Sequence, residues 1–199
     1  MKTLKSALQT HASEERRAAN LRFFKTGKGD YGEGDRLIGV TVPDCRKVAR
    51  TFLDISPREL KEALYSPLHE ERLTALLILV EKYKKIKNEK EQKALVDFYL
   101  QNKSRVNNWD LVDASADKIL GNYLTVKGKK ERKILYTLAR SPRLWDRRMA
   151  IVSTFAFIRK NQFSDTFSLC ELLLPDKHDL MHKACGWMLR EVGKRDAEA

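Results

Sequence analysis

The sequence predicts an all-α fold, a HEAT-like α-solenoid in which antiparallel helix pairs stack as a superhelix. Apolar residues recur at spacings of three and four along most of the 199 residues, which is typical of amphipathic helices. Only DRLIGVTV, residues 35–42, alternates apolar and polar residues, and we expect an extended connection there because it is short and ends at Pro43. The third observation is a repeated motif whose spacing is near twice the length of a helix pair.

Ten helices are predicted from this periodicity. Pro43 and Pro57 fall at first-turn positions, where proline is favoured, and Asn108 is a suitable cap for a helix beginning at Trp109. We expect the helices to form a single repeat domain over residues 1–199. The predicted ranges are 2–25, 43–54, 57–65, 69–85, 89–102, 109–124, 129–140, 144–160, 164–174 and 178–193.

The repeated motif is a Ser-Pro pair followed by an arginine. SPLHEERLTALLIL and SPRLWDRRMAIVST each place an arginine six residues after the serine and an alanine three residues later. Arg72 and Arg147 are 75 residues apart, and steps of 37 and 36 residues from them reach Trp109 and Lys183. Each of these positions is early in the second helix of a pair. We therefore expect the second helices to line one surface, where solenoids usually bind.

The basic composition favours a polyanionic partner. Lysine and arginine number 39 against 27 aspartates and glutamates, a net charge of +12. Nucleic acid is the commonest partner of such proteins, although many basic proteins bind none. No apolar run approaches the roughly 20 residues that span a bilayer, so we expect a soluble cytoplasmic protein. Cys45, Cys170 and Cys185 are far apart and odd in number, which favours buried reduced thiols over disulfides.

Two weak motif matches do not indicate a site. His178 and His182 are four residues apart, but no glutamate follows the first and no third ligand is evident, so we expect no metal. GKGDYG formally matches the glycine pattern of dinucleotide-binding loops. No predicted strand precedes it and the loop carries acids, so a loop between helices is the better interpretation.

The stretch NNWDLVDASAD places three carboxylates beside a tryptophan in this basic chain. On a helix beginning at Trp109, Asp113 falls at the edge of the apolar stripe, one turn from the indole. Asp110 suits the helix N-terminus, whose dipole favours negative charge, and Asp117 is expected to be an ordinary solvated acid. Two interpretations of Asp113 stay open: a structural ion pair with Arg148, or a functional carboxylate.

A second tryptophan and an arginine extend this pattern. Trp187 shares a helical stripe with apolar residues, and Arg148 lies on an apolar face, where an arginine is unusual. Core packing is one interpretation of Trp109 and Trp187. The other is a site for a cationic substrate attached to a phosphate backbone. Indole faces attract cations, a carboxylate in a cleft stabilises positive charge, and arginine binds phosphate.

The segments that carry these residues resemble a known family. NNWDLVD, WDRRMAIVSTF and KACGWMLREVGKRD are similar to motifs of the DNA alkylation repair (AlkD-like) family of HEAT-repeat DNA glycosylases. RFFKTGKGDYGEGDRLIGVTVPDCRKVA resembles the N-terminal segment of one branch of that family. The resemblance implies excision of N3- and N7-alkylated purines without base flipping, metal or redox cofactor. It implies that Asp113 is the catalytic carboxylate, that Trp109 and Trp187 are aromatic walls, and that Arg148 completes the site.

We therefore expect a monomeric, monofunctional DNA glycosylase that binds double-stranded DNA containing alkylated bases. The resemblance also implies one or two helices beyond GKRDAEA in typical members, so the C-terminal capping helices are expected to be short or missing. Two other functions stay open: a non-catalytic nucleic-acid-binding solenoid, and a helical scaffold whose basic face binds an acidic protein. The expected DNA contacts are Arg72, Arg147, Arg148, Lys183 and Arg190.

Overall fold

The computed structural model describes residues 3–198, which group into two compact units. The first unit comprises the chain up to Lys87 together with Ser104–Leu111, and the second comprises Asn88–Lys103 with the chain from Val112 onward. Within the described residues the regular structure is helical, apart from one isolated bridge between Arg36 and Leu68. The predicted all-α fold is confirmed. Over the same residues, no helix combines the length and apolarity needed to cross a membrane.

The first unit is built around one long apolar helix. Its helices are α1 (Leu4–Gln9), α2 (Glu14–Phe23), α3 (Val42–Thr51), α4 (Pro57–Leu64) and α5 (His69–Lys85). The run LTALLILV of α5 is buried throughout, because both α3 and α4 pack against this helix. The start of α4 agrees with the sequence prediction: Pro57 occupies its first turn, and Ser56 and Glu59 cap each other's backbone N–H groups.

The prediction of one helix over residues 2–25 is wrong, and residue 2 lies outside the described residues. The chain turns between α1 and α2, where the Ser13 side chain accepts a hydrogen bond from the Arg16 backbone N–H and so caps α2. The Ser13 N–H in turn donates to the backbone oxygen of Ile38 in the extended connection. Apolar spacing does not register this turn, because the partner that stabilises it is distant in sequence.

The second unit contains three successive helix pairs. Its helices begin with α6 (Glu89–Gln101), and the division between the units falls inside α7 (Trp109–Ser115). A π-helical segment (Asp117–Gly121) and α8 (Asn122–Leu124) continue α7. The remaining helices are α9 (Lys129–Ala139), α10 (Leu144–Ser153), α11 (Phe155–Ile158), α12 (Ser164–Leu173) and α13 (Asp179–Gly193).

The second helices of these pairs pack side by side, as the repeat predicts. The π segment and α8 pack on α6, α9 packs on α10, and α12 packs on α13. The second helix α10 contacts both the π segment before it and α13 after it. The helix predicted over 144–160 is interrupted at Thr154, whose side chain donates to the backbone oxygen of Ile151 and competes with the helical pattern.

A glycine permits the closest approach between two of these helices. A Cβ added at Gly121, in the π segment, would lie 2.3 Å from the backbone oxygen of Ser153, at the end of α10. By contrast, a Cβ at Gly186, in the middle of α13, would meet nothing within 4 Å. The close contact between helices requires a glycine at position 121. At position 186 no contact requires glycine, and the residue only lowers helix propensity.

We predict opposite effects of alanine at these two positions. Gly121→Ala should lower the free energy of unfolding by about 1–3 kcal/mol or more, because the backbones of the two helices must separate. Gly186→Ala should leave it unchanged or raise it by up to about 1 kcal/mol, because alanine favours the helix. Urea denaturation followed by circular dichroism measures both. Equal effects at the two sites would show that the packing at Gly121 is not close.

Candidate active site

Asp113 and Arg148 form a bidentate ion pair in the second unit. Nε and Nη2 of Arg148 donate to the two carboxylate oxygens of Asp113 at 2.9 and 2.8 Å. Nη1 donates to the backbone oxygen of Leu180, in the first turn of α13, at 2.7 Å. A single guanidinium thus joins α7, α10 and α13. The Asp113 side chain is 20% exposed, so the carboxylate can be reached from solvent although its partner is buried.

Trp187 lies on α13, half-buried against another aromatic ring. Its ring centroid is 5.6 Å from that of Phe155, and the two planes are tilted by 54°. The Phe155 ring is also in cation–π contact with Arg159, whose guanidinium carbon lies 4.5 Å from the ring centroid. Trp187 packs against apolar neighbours like a core residue, but part of its side chain stays accessible to solvent.

The expectation that Asp117 is solvated is wrong. Its carboxylate is buried and accepts hydrogen bonds from Arg159 at 2.9 Å and from Lys118 at 2.8 Å. Arg159 follows α11, in the next helix pair, so the neighbouring pair covers this side of the π segment. A helical wheel contains only the residues of its own helix, so it cannot show that a neighbouring helix pair buries Asp117.

Trp109 belongs to the first unit, where phenylalanines from the end of α2 pack on it. Phe24 stacks on the indole with ring centroids 5.4 Å apart and planes within 15°, and Phe23 meets it edge-on at 5.5 Å. Asn108 precedes the helix as predicted, and its Oδ1 accepts the Trp109 backbone N–H at 2.8 Å. The indole remains half-buried, and Phe23 is 62% exposed.

A buried charge cluster next to Trp109 was missed by the sequence analysis. Nδ1 of His69 lies 2.9 Å from an Asp35 oxygen, and Nε2 lies 2.7 Å from an Asp110 oxygen. Arg72 donates to the other Asp35 oxygen at 2.6 Å. One feature of the sequence could have indicated the cluster. Aligning the two Ser-Pro motifs places the polar His69 opposite the apolar Leu144.

Protonation of this cluster follows from its geometry. Burial alone would lower the pKa of His69, but the hydrogen bonds and charges of Asp110 and Asp35 outweigh it and raise the pKa to about 9. Burial would likewise raise the pKa of Asp35, yet the bond from His69 and the charge of Arg72 lower it below its ordinary value. His69 is therefore an imidazolium held between two carboxylates at neutral pH.

Comparison with known proteins decides the family. A family model described as DNA alkylation repair enzyme matches residues 4–199. The chain belongs to this family. Its structure is similar to that solved for a "predicted DNA alkylation repair enzyme from Enterococcus faecalis", with a TM-score of 0.69 and 17% identity over 96% of this chain and 87% of that one. At this identity the likeness concerns the fold. No curated protein shows a significant match.

In this DNA alkylation repair family member, the arginine of the repeat has a structural role. Nη1 of Arg72 donates to the backbone oxygen of Ser66, and Nη1 of Arg147 donates to that of Ser141. Each arginine also pairs with a buried acid, Asp35 for Arg72 and Asp176 for Arg147. The repeated motif therefore encodes how the second helix of a pair is tied to the turn before it.

These contacts correct the expected set of DNA-binding residues. Arg72 is 1% exposed and cannot present its guanidinium to phosphate in this conformation. Arg147 is mostly buried against Asp176, and Arg148 is committed to Asp113 and Leu180. Periodicity predicts which helix a residue lies on, but it does not indicate which of the basic side chains turn inward.

Two expected contacts do remain on the surface. Lys183 pairs with the exposed Asp179 one turn away, and Arg190 is 66% exposed. Over residues 3–198, no group of three or more acids, histidines and cysteines is placed to hold a metal ion. All three cysteines are free thiols, and Cys185 is half-buried rather than buried.

We predict that Arg72 contributes to the stability of this family member. Arg72→Met leaves Asp35 buried without its arginine and should lower the free energy of unfolding by about 3–5 kcal/mol. Arg190→Met, the same change at an exposed arginine of the last helix, should alter it by no more than about 0.5 kcal/mol. Urea denaturation of the two variants makes the comparison. An Arg72→Met protein as stable as wild type would show that the buried contacts of Arg72 do not stabilise the fold.

Proposed function

We propose that this chain is a DNA glycosylase that hydrolyses the N-glycosidic bond of purines alkylated at N3 or N7 in duplex DNA, without flipping the base. The observation that carries the proposal is the partly exposed Asp113 carboxylate, fixed in orientation by Arg148. Membership in the DNA alkylation repair family supports it. The basic net charge supports DNA as the partner.

The proposed reaction needs little from the protein because the lesion is already cationic. As the bond between C1′ and the base nitrogen breaks, the base takes the bonding electrons and leaves neutral, so no acid has to protonate it. Positive charge develops on the deoxyribose, and the Asp113 carboxylate stabilises it. Water adds to C1′ and loses a proton to the carboxylate or to solvent. The products are the free base and an abasic sugar.

Arg148 acts in this proposal as a positioning residue. Its fork holds both oxygens of Asp113 in one plane, which fixes the direction in which the carboxylate faces the sugar. Its positive charge opposes part of the stabilisation that Asp113 offers. It also prevents the side chain from rotating away.

In the proposal, the two tryptophans supply aromatic faces to this chemistry. Trp109 is associated with Asp113 by its spacing of four residues along α7, which places the two on one helical face. Trp187 is half-buried on α13, the helix whose first turn Arg148 binds. Indole faces attract cations by about 0.5–2 kcal/mol, which suits an alkylated purine or a cationic sugar.

We expect Asp113→Asn to lower the rate of base release by about 10² to 10³. This change preserves the size of the side chain and removes a charge that contributes about 3–4 kcal/mol to the transition state. DNA affinity should hold or rise, because a negative charge facing phosphates has gone. Release of 7-methylguanine from methylated DNA, measured with enzyme in excess, tests this.

The matched control is Asp97→Asn, at a half-exposed acid of α6 that pairs with Lys93. It should retain the wild-type rate. Circular dichroism must show that Asp113→Asn is folded, since Arg148 loses its counter-charge in that variant. A folded Asp113→Asn protein with the wild-type rate removes this residue from the chemistry.

DNA binding should depend on salt through the exposed basic residues of α13. The logarithm of affinity should fall with the logarithm of salt concentration by about 0.9 per phosphate contacted. Lys183→Ala and Arg190→Ala should each reduce the slope by about 0.9, whereas Lys93→Ala, on a first helix, should not change it. Fluorescence anisotropy of a labelled duplex at several salt concentrations gives the slopes.

Two outcomes separate the rival functions. Salt-dependent DNA binding by a wild-type protein that releases no base favours the non-catalytic nucleic-acid-binding solenoid. Absence of DNA binding even at low salt favours the scaffold for an acidic protein, since the same basic residues would then serve another polyanion.

A further inference from the structure

The start of α7 is held by contacts from distant parts of the first unit. Oδ2 of Asp110 lies 2.7 Å from Nε2 of His69, and Oδ1 accepts the Leu111 backbone N–H at 2.8 Å. Nδ1 of His69 reaches Asp35 at 2.9 Å. Asp35 also accepts a longer bond from Nδ2 of Asn108, whose Oδ1 accepts the Trp109 N–H. Two hydrogen-bonded routes thus lead from Asp35 to the first turn of α7.

Packing alone does not fix the indole on this side. A cavity of about 340 Å³ lies beside it, lined by Phe23, Phe24, Trp109 and apolar residues of the connection before α3. The ring of His69 contributes to the wall of this cavity and lies 4.9 Å from Phe24, which in turn stacks on Trp109. Because open space adjoins the indole here, side-chain packing restrains it only on its other sides, and other contacts must fix its plane.

We infer that His69 is a positioning residue for Trp109: by bridging Asp35 and Asp110 it fixes the first turn of α7, and through Phe24 it fixes the plane of the indole. This inference rests on the proposed function, in which Trp109 supplies an aromatic face to the lesion. The bridge requires both ring nitrogens of His69 to carry protons, because each faces a carboxylate. Neutral histidine turns a lone pair toward one of them.

The bridge therefore depends on pH in a defined direction. The pKa of His69 is raised to about 9, so its contribution is complete below the ordinary value near 6.5 and is lost as pH rises through about 9. The charged groups that face this region are Asp35 from the connection, Asp110 from α7 and Arg72 and Glu70 from α5. Arg16 of α2 borders the same cavity, and Arg105 lies near Asp35.

The test compares wild-type protein with His69→Gln, which is neutral at every pH. Base release is measured with enzyme in excess from pH 6 to 10, together with DNA affinity. We expect His69→Gln to lower the rate at pH 7 by about tenfold with DNA affinity within about twofold, since misplacement of a contact by a fraction of an ångström costs this much. The ratio of the wild-type rate of base release to the variant rate should fall toward one above pH 9. Titration of the DNA itself cancels in this ratio.

Two further variants separate positioning from general stability. His11→Gln changes a histidine that follows α1 in the same unit and lies outside this cluster, and it should match wild type throughout. Asp110→Asn removes one of the two carboxylates that raise the pKa of His69, so the pH midpoint should move to lower values. A role confined to folding stability would change the melting temperature of the variants and leave the ratio independent of pH.

A second readout keeps the inference independent of enzymatic activity. The indole N–H signal of Trp109, assigned by its loss in Trp109→Phe, is followed by ¹⁵N–¹H NMR as pH rises. We expect a shift with a midpoint near 9 in wild type and none in His69→Gln. If wild type releases no base, the proposed function fails while this titration still decides the inference. An indole signal that does not respond to pH in the folded wild type overturns it.

Discussion

The guanidinium of Arg148 is the contact on which the arrangement of the second unit's site depends. This guanidinium is removed from water and binds both carboxylate oxygens of Asp113 and the backbone oxygen of Leu180. It therefore connects α7, α10 and α13. Removing such a charge from water is costly, and only well-aligned partners offset the cost. The planar fork of arginine meets this condition, whereas a lysine in its place could not bind the same oxygens in a fixed direction. A carboxylate held in this way is already oriented before substrate arrives.

Buried arginines elsewhere in the chain use the same chemistry for a different purpose. Arg72 and Arg147 each bind the backbone oxygen of a serine that ends the preceding turn, and each is neutralised by an acid from a distant segment. Arg132 likewise binds Asp165 and two backbone oxygens after the π segment. The high content of basic residues is thus partly a structural requirement of stacked helix pairs. Net charge therefore overstates the charge that the surface offers to a polyanion.

The acid-rich stretch NNWDLVDASAD now divides into three separate environments. Asp110 meets His69, Asp113 meets Arg148, and Asp117 meets Arg159. Each acid is paired with a cation that lies far from it in the sequence. Only Asp113 combines a fixed partner with appreciable exposure, and this combination distinguishes a candidate for chemistry from two acids that hold the helix.

The sequence by itself determined the helical class, most helix ends within one or two residues, and the repeat. It did so because apolar spacing and proline positions act over a few residues. It also indicated Asp113 and Arg148 as partners, since the repeat places them on successive second helices. The tertiary structure alone decided that the N-terminal helix divides, that Arg72 and Asp117 are buried, and that His69 lies between two carboxylates. In each case the deciding partner is more than twenty residues away in the sequence, so the spacing of residues along one helix cannot predict the contact.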